Sequence, residues 1–259
     1  MIKTIDNSTC QIDELNKKNN RVVDDYKIIF SLPCENYIKI IVTDDIYKER
    51  LYLSKTKSEK QSVSSSMNDY RSLNGLLVPP ENFHDVYYAI INQNRYETNL
   101  YEKTLAHELT HAVDFFFYKE INPEIDLRVH DDILYYCSEI HAIYIGFKFY
   151  LRDIEKNFNI KSFAIETLNI ALDEIQNAIN TNNINKIKKN YAVFLGEYMA
   201  FKEKVNNKDL FSFKLLISNE AENILDKIIN KIDFIKHISS IKFLNKNIED
   251  FVKINVKYI

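Results

Sequence analysis

Asn99-Leu100-Tyr101-Glu102-Lys103-Thr104-Leu105-Ala106-His107-Glu108-Leu109-Thr110-His111-Ala112-Val113-Asp114 fixes one structural element and its chemistry together. Asn99 can cap a helix, with Glu102 three residues later completing a capping-box-like pair, and Asn122-Pro123 stops the run. Leu105, Leu109, Ala112 and Phe116 then share one face and would dock the helix on a core. On that helix His107 and His111 are one turn apart and project from the same side, about the spacing two imidazoles need to grip one metal ion. Glu108 stands beside them, where its carboxylate can take a proton from a water that the metal activates.

A catalytic zinc usually takes three protein ligands and keeps its fourth position for water, so a third ligand must come from elsewhere. The best candidate is Glu139 in Cys137-Ser138-Glu139-Ile140-His141-Ala142, 28 residues after His111 and on a second long helix expected from about 131 to 154. Ala142 and Gly146 follow on the same face, small enough to let another helix approach. Asp114, one turn beyond His111, could orient a ligand histidine through a hydrogen bond; a solvated helix carboxylate is the equal alternative. Asp114 and Asp132 are the reserve ligands. An electrophile to steady an oxyanion would be sought among His130, Tyr135, Tyr136 and His141, although His141 lies on nearly the opposite helix face from Glu139. His84 and His237 read as ordinary surface or core histidines, and Cys137 as a buried small hydrophobe.

The order His107-Glu108-Leu109-x-His111-Ala112-x-Asp114, followed by Cys137-Ser138-Glu139-Ile140-x-Ala142, resembles the glutamate-type zinc metallopeptidases, the gluzincins. The closest likeness is to the mitochondrial inner-membrane peptidase family that processes an ATP synthase subunit. There the second motif reads Cys-Ser-Glu-Ile-Arg-Ala, and this chain has His141 in place of the arginine. His-Ala-Val-Asp after the first histidine also resembles the lethal-factor type of toxin metalloprotease. The resemblance covers roughly residues 100–146. It implies zinc on His107, His111 and Glu139, Glu108 as general base, and a protein or peptide substrate; it carries neither a particular substrate nor a physiological role.

The rest of the sequence bounds this reading. A chain of 259 residues allows one large domain or two modest ones. With 46% hydrophobic and 27% charged residues it is globular rather than disordered. Its 34 basic and 37 acidic side chains balance to −3, which gives no electrostatic footprint for nucleic acid. Only three Gly and four Pro leave few turn formers, so long helices are expected. The three cysteines, Cys10, Cys34 and Cys137, are odd in number and irregularly spaced, which speaks against a disulfide framework and for a reducing compartment. The start lacks the apolar stretch of a secretory signal, and no window approaches a membrane span, so a cytoplasmic protein is expected unless it leaves the cell without an N-terminal signal.

Along the chain, residues 1–20 read as a polar leader that orders late. Tyr37–Thr43 reads as a strand and residues 55–69 as a mobile, Ser-rich loop. Leu76–Val78 and Val86–Ile91 give two further strands, the latter an edge onto which an extended substrate could add. Ile165, Leu168, Leu172, Ile175 and Ile179, and again Ile217, Ala221, Ile224, Ile228, Ile232 and Ile235, form helical stripes. The expected class is therefore α+β, mostly α: a zincin-like part over 1–155 with a small sheet and an active-site helix, then a helical subdomain over 156–259. The rival is a non-catalytic interaction module whose helical half binds a partner and whose zinc site is structural or vestigial. Glu108 separates the two, because a site that merely holds metal has no use for it.

Overall fold

The computed structural model describes residues 2–8, 12–81, 85–121, 123–124, 126–127, 132–154, 159–181 and 183–205. Over these the chain is α+β and mostly α, as its scarcity of turn formers predicts. It divides into two compact units, Met1–Val129 and His130–Ile259. The helix that carries Glu139 falls in the second of these, whereas the sequence reading sets its boundary after residue 155.

The first unit is built on four strands, β1 (Lys3–Asn7), β2 (Ile38–Thr43), β3 (Gly75–Val78) and β4 (Tyr87–Asn92), in the order β1-β2-β4-β3. β1, β2 and β4 are parallel, and β3 runs antiparallel to β4. Parallel neighbours require crossover connections. α1 (Ile12–Ile29) supplies the one between β1 and β2, while α2 (Ile46–Leu53), α3 (Lys57–Ser65) and α4 (Met67–Arg71) lie between β2 and β3. The register sets Ile40 against Ala89, Ile41 against Ile90 and Val42 against Ile91. Alternation sends these pairs to opposite faces, yet all six side chains are buried, so the sheet is covered on both sides. On one face Ile41 and Ile90 meet Ile46 of α2 and Val78 of β3. α5 (Asn99–Ile121) packs on β4 and β3, and α1 packs on α5.

Four expectations change here. In the polar stretch 1–20, residues 3–7 form β1 and residues 12–20 half of α1, held by strand pairing with β2 and by Asn19, which is buried. Residues 55–69 are mostly helical. The Thr56 side chain caps α3 by accepting from the Glu59 N–H at 3.1 Å, and Val63 is buried. The strand at 86–91 is no edge, since β4 pairs with β2 on one side and β3 on the other; the sheet ends on β1 and β3. Asn99, expected as the cap, is instead the first residue of α5, and Glu102 meets the Arg21 guanidinium of α1.

The second unit contains α6 (Asp132–Ile154), α7 (Ile160–Asn180) and α8 (Ile184–Lys202). α8 packs on both α6 and α7. Its Gly196 lies so close to α6 that a Cβ there would sit 2.6 Å from Ile143 Cγ2 and 2.9 Å from the Ile140 carbonyl oxygen. Leu168 and Ile175 of the first expected stripe are buried. Phe147, Phe163 and Phe201 join the three helices in edge-to-face contacts with centroids 5.7–5.8 Å apart. The stripe from Ile217 to Ile235 lies outside the described residues. No described helix is long and apolar enough to cross a membrane.

Candidate metal centre

α5 is buried along most of its length, and polar bonds to α1 set its rotation. Near its start Tyr101 donates its hydroxyl to Asn19 Oδ1 at 2.7 Å, and Asn19 in turn donates to Thr4 Oγ1 at 3.1 Å. Two turns on, the Tyr26 hydroxyl reaches Thr110 Oγ1 at 3.1 Å, while Thr110 donates to the Ala106 carbonyl at 2.8 Å. With Arg21 on Glu102, these contacts grip the helix on either side of His107.

In that setting the two histidines behave as their spacing predicts. His107 is half-buried and His111 buried. Their Nε2 atoms lie 3.0 Å apart, and the rings meet at 83°. Two nitrogens each about 2.0–2.1 Å from a shared tetrahedral ion would be about 3.3 Å apart, so a small opening of the pair accommodates zinc. Among the described residues, the group that could hold a metal is His107, His111 and Glu139, whose ligand atoms, one per residue, lie within 4.8 Å of one another. Two imidazoles and a carboxylate form the donor set that zinc accepts in catalytic sites, which leaves one position for water. Glu108 is only 5% exposed.

Asp114 is not a solvated carboxylate; it is 2% exposed. Its charge is felt by Tyr26 and by Cys34, in the turn before β2. Burial pushes the Cys34 thiol up to about 12, and Asp114 adds to the shift. The Tyr26 hydroxyl is likewise driven well above its ordinary value, chiefly by burial and against the lowering effect of its bond to Thr110. Cys137 is buried, as its reading as a small hydrophobe predicts, and His141 is buried in the second unit. His84, His130 and His237 and the side chains of Asp132, Tyr135 and Tyr136 lie outside the described residues, so no oxyanion partner is assigned.

One neighbour of the site escapes sequence reading. Gly75, at the start of β3, faces Thr104 and Glu108 at a distance that leaves no room for a side chain. Nothing in its local sequence marks it, because the contact joins residues some thirty positions apart. Comparison of the chain with family models, curated proteins and solved structures gave no match.

Proposed function

We propose that the chain is a zinc-dependent peptidase of the gluzincin type. The observation that carries this reading is the convergence of His107 and His111 Nε2 at 3.0 Å on one face of α5, with buried Glu108 between them in sequence. His107, His111 and Glu139 would hold the zinc. When bound, such an ion lowers the pKa of a water and polarises a carbonyl. Glu108 accepts the proton of the attacking water and passes it to the leaving amine nitrogen as the peptide C–N bond breaks. Next to His107 in sequence and buried on α5, Glu108 would act on the water without being a ligand.

The substrate is a protein or peptide presented in extended form, and the reducing character of the cysteines favours a cytoplasmic setting. Because β4 is paired on both sides, β3 is the strand nearest Glu108 at which an extended chain can add by main-chain hydrogen bonds. Metal analysis tests the proposal: the purified protein should carry one zinc per chain, and His107→Ala and His111→Ala should each lose it. Full retention of zinc in either variant refutes the site.

A further inference from the structure

Gly75 lies in β3, opposite Ile91 of β4, where the end strand of the sheet passes against α5. A Cβ built on it would stand 2.5 Å from Thr104 Cγ2, 2.6 Å from Glu108 Oε1 and 3.1 Å from Glu108 Cγ. The backbone at Gly75 is not left-handed, so the glycine is required for space and not for conformation. The two neighbours differ in how far they can yield. Thr104 is β-branched, and its hydroxyl donates to the Leu100 carbonyl at 2.7 Å, which holds its methyl in place. The Glu108 carboxylate is the far end of a longer side chain. Any side chain at position 75 would therefore press on a Thr104 that cannot yield and displace the Glu108 carboxylate, which can.

From this geometry we infer that Gly75 is a positioning residue for Glu108: its bare Cα leaves the volume that the Glu108 carboxylate occupies. The inference rests on the reading of Glu108 as general base. It also accounts for the close approach of β3, since a larger residue would both displace the base and push the strand off the helix.

The test uses the full chain loaded with cobalt(II), whose visible absorption reports the surroundings of the metal's open position. The variants are Gly75→Ala, Glu108→Gln and the double variant Gly75→Ala with Thr104→Ser. Gly75→Ala should keep its cobalt stoichiometry with a lowered thermal midpoint, and its spectrum should depart from that of the wild type. Against a substrate trapped by Glu108→Gln, its cleavage should fall by about 10² or more. Thr104→Ser deletes Cγ2 while keeping the hydroxyl, so the double variant should return part of the way to wild type. A wild-type spectrum for Gly75→Ala overturns the positioning role and leaves the base intact. Equal cleavage by Glu108→Gln and the wild type overturns the base itself, and the role of Gly75 with it. Should Gly75→Ala fail to fold, the double variant, in which the Glu108 clash alone remains, is read in the same way, and a wild-type spectrum overturns the inference.

Discussion

Replacing Glu108 by Gln preserves size and hydrogen bonding but removes the ability to accept a proton. Zinc content should stay at one per chain while peptide cleavage falls by about 10²–10⁴. Because the substrate is unidentified, the variant serves first as a trap: proteins it retains from a lysate are offered to the wild type, and equal cutting by both forms would dismiss Glu108 as the base. Glu139→Gln addresses the third ligand. Loss of a partner that merely orients a ligand already costs about 10–100-fold in metal affinity, so loss of a ligand should cost at least as much. The helical circular dichroism should be retained, and unchanged affinity in a competition titration would transfer the role to another carboxylate.

At the scale of elements, α5 is held by bonds that hydropathy does not reveal. Tyr101→Phe would remove the donor to Asn19 Oδ1 inside the α1–α5 contact. A buried acceptor left without its partner costs about 1–3 kcal/mol, to be seen in urea denaturation with zinc stoichiometry unchanged. Gly196→Ala in α8 would overpack the contact with α6 and cost a similar about 1–3 kcal/mol. These two contacts also indicate what the sequence could and could not disclose. Ile38–Thr43 and Tyr87–Asn92 were legible because β-branched runs buried on both faces need no partner to be recognised as strands. The His107/His111 pair was legible because one helix supplies both rings. β1 and α3 were not, since their polar residues are stabilised by Glu49, Asn19 and Arg50, residues on other elements. Gly75 was hidden for the same reason.

Over the whole chain, the buried weak acids set an alkaline limit. Cys34 titrates near 12 when folded against an ordinary 9.0, and Tyr26, Tyr87 and Tyr191 are raised above their ordinary 10.0, chiefly by burial. Between about pH 9 and 12 the unfolded chain has released the Cys34 proton and the native one has not, so the native state binds more protons and stability falls as pH rises. Below the unfolded value the effect is absent. The urea midpoint should therefore decline from about pH 9, more steeply once the tyrosines join above 10, and Cys34→Ala should remove the first part of the decline. The strand order has a kinetic consequence as well. β3 and β4 are joined by residues 79–86 and β4 leads into α5 through 93–98, whereas β2 must reach β4 across 44–86. By the logarithmic cost of loop closure, the longer connection is dearer by about 1.5 kcal/mol. The hairpin and helix that bring Gly75, Glu108 and both histidines together thus make up the stretch of the first unit that closes at least cost, and the parallel pairs with β2 and β1 follow. Substitutions within 75–121 should slow refolding, while those in β1 should chiefly hasten unfolding.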